Sequence, residues 1–218
     1  MIVLNYYDVD LHDYDLKTLE NGEWLNDKIV EFYMEYMERT TVHNDILLLR
    51  PAMVHLLTYM PGDPKDLQSV LPPQFENRRV IFIPINDGIA DKAYSGTHWS
   101  LLVFFRSSKT FFYYDSLNTS NIRPAKYTAK RMIPLLGLDV EPEFKVIPSP
   151  QQEGTSDCGL MVLSLMDLLI RRMISNTLTD ENGQDILTTK ELDSMKSPHN
   201  IRKDMNVLIK KMLVEKNK

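Results

Sequence analysis

Apolar positions along the chain recur in two rhythms. After Trp24-Leu25-Asn26-Asp27, residues Ile29, Val30, Phe32, Tyr33, Tyr36 and Met37 return at helical spacing, with Asn26 placed to cap the helix they predict. A stretch punctuated by prolines, Pro61 to Pro73, separates this helix from a change of pattern. Val80-Ile81-Phe82-Ile83-Pro84-Ile85 predicts a buried strand, and Asn86-Asp87-Gly88 a turn that opens a polar loop running to Gly96. Two further strands are predicted at His98–Phe105 and Thr110–Asp115, joined by Arg106-Ser107-Ser108-Lys109. A helix near Ala125–Leu136 and a short strand near Phe144–Ile147 follow. From Cys158 the chain is apolar almost all round for about three turns, which marks a buried helix. The last helix, Ile201–Glu215, is amphipathic and ends in lysines. Helices, then a strand cluster, then more helices predict an α+β domain.

The chain has 218 residues, and no repeat or Gly/Ser-rich linker divides it, so a single domain over 1–218 is expected. No apolar run approaches the roughly 20 residues of a membrane span, and the acidic N-terminus lacks the basic start of a signal peptide. The formal charge of −5 argues against nucleic acid as the main partner. Residues 1–45 carry eleven acids against three bases, a local −8 that leaves +3 for the remainder. That acidic face suits a basic partner surface, although taken alone a solvated helix face is the better explanation. One cysteine, Cys158, excludes an internal disulfide and any multi-cysteine zinc site, and makes an intracellular, reducing setting the default.

The hairpin loop carries a geometric inference. With Arg106–Lys109 as a four-residue loop, Phe105 faces Thr110 and Ser100 faces Asp115. His98 then shares a face with Asp115 as its diagonal neighbour, the backbones about 7–8 Å apart. A slip of one residue would send His98 to the other face. Cys158 opens a buried helix, whose unpaired amides and positive dipole end favour a thiolate. Thiol, imidazole and carboxylate form the cysteine version of the nucleophile–base–orienter triad. Gln152 is a candidate oxyanion donor beside the Cys158 amide. Taken singly, each residue has a plainer explanation: a lone cysteine is more often core filler. His12, His43, His55 and His199 lack comparable company.

Gly96-Thr97-His98-Trp99-Ser100, Tyr113-Tyr114-Asp115-Ser116, Gln152 through Gly159 and Trp24-Leu25-Asn26-Asp27 together resemble the motifs of the sentrin/SUMO-specific, or ULP-type, cysteine proteases. Ile85-Asn86-Asp87 leading to the His98 motif most resembles the deneddylase branch, and the short chain before the first motif points the same way. The resemblance implies a papain-like, ULP-type fold with a central, mostly antiparallel sheet flanked by helices. It implies Cys158 as nucleophile, His98 as general base, Asp115 as orienter and Gln152 as oxyanion donor, with no cofactor or metal. Trp24 and Trp99 would close over a Gly-Gly tail, with Asp27 near that tail, and the Asn86–Gly96 loop would form a flap. Gly154 stands where the family usually has Asn. The implied partner of a monomeric, soluble enzyme is a ubiquitin-like modifier and its conjugates, the neddylation modifier first. A SUMO- or ubiquitin-directed protease of the same fold and a non-catalytic modifier-binding module are the alternatives.

Overall fold

A computed structural model describes residues 1–41, 43–89, 96–175, 189–192 and 194–216. An N-terminal hairpin, β1 (Ile2–Tyr6) and β2 (Val9–His12), leads through α1 (Asp13–Lys17) to α2 (Asp27–Thr40). Then come β3 (Ile46–Leu48), α3 (Pro51–Tyr59), β4 (Val80–Asn86), β5 (Trp99–Phe105), β6 (Thr110–Tyr114) and α4 (Ile122–Met132). The chain ends with β7 (Glu143–Ile147), α5 (Cys158–Ile174), α6 (Thr189–Leu192) and α7 (Pro198–Lys216).

The main sheet has the order β3-β4-β5-β6-β7. Its two central pairings are antiparallel, as expected, but β3 joins β4 and β7 joins β6 in parallel. The connections explain this difference. Hairpin-type returns link β4, β5 and β6, whereas α3 and α4 lie in the β3–β4 and β6–β7 connections, and a helical crossover brings strands back parallel.

Both faces of the sheet are covered, so β5 is buried at every residue and reads as a continuous apolar run. Trp99, Leu101, Val103 and Phe105 alternate onto one face and join a core built with α2, α5 and the N-terminal hairpin. Leu102 and Phe104 turn to the other face and pack with residues of α3 and α4. Phe82, Phe104, Phe105 and Phe111 are at most 1% exposed. Each such ring contributes roughly 1.5–3 kcal/mol of burial free energy. The structure therefore has two cores separated by one sheet, and the candidate site lies where that sheet ends.

Helix bounds differ modestly from the periodicity. α4 starts at Ile122 instead of Ala125 and gives way to a 3-10 turn at Ile133–Leu135, where Pro134 supplies no N–H to continue the α-helical ladder. Among the described residues no helix is long and apolar enough to cross a membrane.

Candidate active site

The hairpin register is the one the loop length predicts: Phe105 pairs with Thr110 and Leu101 with Tyr114. His98 and Asp115 each lie one residue beyond the ladder, so the strand begins at Trp99 rather than at His98. Their main chains are held by side chains. The Asp87 carboxylate accepts from the Thr97 N–H, the Thr97 hydroxyl and, at 2.8 Å, the His98 N–H. Asp87 thereby closes the base of the loop whose residues 90–95 lie outside those described.

His98 Nε2 meets Asp115 Oδ1 at 2.6 Å, both side chains being at most 5% exposed. Asp115 is saturated. Oδ1 also accepts from the Leu117 N–H at 2.8 Å, and Oδ2 accepts from the Asn121 N–H at 3.1 Å and from the Tyr113 hydroxyl. Burial pushes the Asp115 carboxyl up, but these donors, His98 foremost, outweigh burial and leave it below its ordinary value. Burial likewise works against a charged His98. The hydrogen bond to Asp115, the interaction with Cys158 and the attraction of both groups reverse this and raise the imidazole to about 9. With Nε2 engaged by Asp115, Nδ1 is the nitrogen that remains for the sulfur.

Cys158 arrives from the other core. It is the first residue of α5, buried, and the only cysteine of the chain. Asp157 precedes it at the N-cap, a position where a carboxylate ordinarily neutralises the first-turn amides. The Asp157 side chain makes no cap and instead accepts from the Gly154 N–H at 3.1 Å. The positive end of α5 is thus left without a side-chain cap beside the sulfur. The same contact accounts for Gly154, because a Cβ there would stand 2.5 Å from Asp157 Oδ2. The loop is pinned by Asp157, without an Asn at position 154.

Two indoles flank the cysteine. Trp24 is 46% exposed and donates from Nε1 to the Thr155 carbonyl at 3.0 Å, which ties it to the loop before Cys158. Trp99 is buried and donates to the Leu25 carbonyl at 3.1 Å. Gly159 packs closely beneath it: an added Cβ would lie 3.3 Å from Trp99 Cδ1 and 3.2 Å from Leu25 Cβ, so both neighbours would have to give by a few tenths of an ångström. Upstream, the Asn26 side chain accepts from the Ile29 N–H and caps α2, while its amide donates to the buried Asp15 carboxylate at 2.7 Å. This fixes the segment that carries Trp24 and Leu25.

Cys158, both tryptophans and Asp27 line one cleft of about 440 Å³. Its far wall is α3, including His55 and Tyr59, whose hydroxyl donates to the Gly88 carbonyl. Burial raises the Asp27 carboxyl, and nearby His55 opposes the shift. His55, which has no company in sequence, is therefore a cleft residue. Gln152 sits on the loop before Cys158 with a different orientation. Its Oε1 accepts from the Ser116 hydroxyl at 2.9 Å, and Nε2 donates to the Gly154 carbonyl at 3.0 Å.

Asn121 and the α3 wall were not singled out by sequence, and Tyr113 and Asp87 entered only as members of motifs, without a role of their own. Asn121 lies ahead of the helix predicted near Ala125–Leu136, and Tyr113 falls inside the strand predicted at Thr110–Asp115. Among the described residues, no three His, Cys, Asp or Glu side chains gather to hold a metal.

The chain is 29% identical over 204 residues to the probable sentrin-specific protease 8 of Dictyostelium discoideum, covering 88% of this chain and 84% of that protein. It is 35% identical over 182 residues to NEDD8-specific protease 2 of Schizosaccharomyces pombe, covering 79% of this chain and 43% of that protein. The crystal structure of a de-sumoylating protease superposes with a TM-score of 0.71 at 19% identity, over 97% of this chain and 91% of the other, which shows the shared fold. The family described as Ulp1 protease family, C-terminal catalytic domain, matches residues 23–215. A buried cysteine at a helix start, facing a histidine held by an aspartate, is thus set in a chain that belongs to the Ulp1 family of cysteine proteases.

Proposed function

We propose that the chain, as one catalytic domain over residues 1–218, hydrolyses peptide or isopeptide bonds after the C-terminal Gly-Gly of a ubiquitin-like modifier. The neddylation modifier is the proposed substrate, in both precursor processing and deconjugation. The observation that carries the reading is His98 hydrogen-bonded to Asp115, with its charged form favoured by Asp115 and by neighbouring Cys158 at the start of α5. An imidazolium there stabilises a thiolate, which attacks the glycine carbonyl. The tetrahedral oxyanion is received by the Cys158 N–H and by the Gln152 amide, which exchanges its long 3.5 Å contact with the Thr155 carbonyl for the oxyanion while keeping the Gly154 carbonyl at 3.0 Å. His98 then protonates the leaving amine, and water, deprotonated by His98, hydrolyses the thioester.

Selectivity for glycine follows from the slot between Trp24 and Trp99, which excludes side chains. Asp27 offers a half-buried carboxyl to the segment ahead of the Gly-Gly. The preference for the neddylation modifier is supported by the relative named NEDD8-specific protease 2. The enzyme acts as a monomer inside the cell, in cytoplasm, nucleus or both.

The test is covalent capture of Cys158 by C-terminal vinyl-sulfone forms of the neddylation modifier, SUMO and ubiquitin. Capture is expected with the neddylation modifier at a rate at least tenfold above the others. Faster capture by SUMO or ubiquitin would reassign the substrate within the same chemistry. Tight binding with no adduct from any of the three would instead favour a non-catalytic binding module.

A further inference from the structure

Asn121 occupies the N-cap of α4, where an asparagine side chain ordinarily accepts from first-turn amides. It makes no such cap. Its side-chain amide donates instead to the His98 carbonyl at 3.0 Å and to the Ile85 carbonyl at 3.3 Å. Its own backbone N–H donates to Asp115 Oδ2. The residue is 1% exposed. One buried side chain thus bridges the end of β4 to the residue preceding β5, while the same residue's main chain grips the carboxylate opposite. His98 lies just outside the ladder, so its N–H depends on Asp87 and its carbonyl on Asn121.

We propose that Asn121 is a positioning residue for the reaction, fixing the His98 main chain and the Asp115 carboxylate to each other so that the imidazole is aimed at Cys158. This rests on the reading of Cys158 as nucleophile and His98 as its base. A helix cap needs only an acceptor at this position, and a packing role needs only the shape. Tying two carbonyls needs the two N–H donors of an amide.

Cys158 is the only cysteine of the chain, so alkylation by iodoacetamide reads that sulfur whatever the substrate. Second-order alkylation rates are measured from pH 5 to 10 for the wild type, Asn121→Leu, Asn121→Ala and His98→Ala, each normalised to the folded fraction by circular dichroism. Asn121→Leu keeps the branched shape and loses both donors; Asn121→Ala serves if the leucine variant does not fold. Loss of aim predicts a rate about tenfold lower at pH 6.5, and a His98 limb moved down by about one pH unit toward ordinary histidine. In a Cys158→Ala background, Asn121→Leu should bind the neddylation modifier within twofold of its parent.

Wild-type rates and an unmoved limb in both Asn121 variants would overturn the proposal and leave Asn121 a structural residue. If His98→Ala itself retained the wild-type profile, the underlying assignment of the base would fail, and the proposal with it.

Discussion

Replacing Asp115 by asparagine removes one charge and almost no volume, which makes it a sharp test of the site. The carboxylate accepts four hydrogen bonds, two at each oxygen. An amide accepts at one oxygen only. With that oxygen toward His98, the amide NH2 faces the Tyr113 hydroxyl, which can rotate to accept, and the Asn121 N–H, which cannot. With the amide reversed, the Leu117 N–H loses its acceptor, and His98 must present a lone pair at Nε2, the wrong tautomer. Either way one buried backbone donor goes unmatched, at about 1–3 kcal/mol of stability. The chemical loss is larger. Without the carboxylate, His98 loses its main support against burial and falls from about 9 to an ordinary 6.5 or lower. At pH 7.5 the imidazolium fraction drops from nearly all to about a tenth or less. Loss of aim adds up to about a hundredfold. Turnover of the neddylation modifier carrying a C-terminal fluorogenic amide should therefore fall about a thousandfold, with melting lowered only modestly. An Asp115→Asn variant within threefold of wild-type turnover would refute the reasoning.

Three more outcomes follow from the geometry. His98 binds its proton more tightly folded than unfolded, so its stabilising contribution is complete below pH 6.5 and disappears as pH rises through about 9. Urea titrations should show wild type losing its advantage over His98→Gln across that window, and a constant difference would contradict the ion pair. Trp99→Ala should cost about 3–5 kcal/mol because the ring is buried, whereas Trp24→Ala should leave melting nearly unchanged and raise KM. Equal thermal losses would show that Trp24 is core. Gly159→Ala gains up to about 1 kcal/mol of helix propensity while pressing on Leu25 and Trp99 at 3.2–3.3 Å. Its kcat/KM for the neddylation modifier should drop at least tenfold while urea stability moves by about 1 kcal/mol or less, and intact activity would place the slot elsewhere.

Much of this site was legible because it depends on local rules. A four-residue hairpin loop sets the register, and register decides that His98 and Asp115 share a face. The all-round apolar pattern after Cys158 marks a buried helix, and α5 is one. What stayed hidden depends on connections and on long-range pairing. β3 has only three residues and β7 is the largely exposed sheet edge, so neither announces that it joins in parallel. The N-terminal hairpin has strands of only five and four residues, so the alternation of Val9 and Leu11 with Asp10 and His12 is too short to announce a strand. α3 is short and apolar on most sides, and its role as the cleft wall, with His55 beside Asp27, appears only once the sheet is assembled. Asn121 and Asp157 show a subtler limit. Both are residue types that favour helix caps, both sit at N-caps, and both turn their side chains elsewhere. Neither was read as a cap from the sequence, and tertiary contacts, not local preference, decide what each side chain does.

The central claim is that the nitrogen facing Cys158 belongs to a charged imidazole at neutral pH. NMR titration of the His98 ring in uniformly 15N-labelled enzyme tests it directly. Both ring nitrogens should be protonated at pH 7.5, with a midpoint near 9. A ring found neutral at pH 7.5, with a midpoint at 6.5 or below, would contradict it.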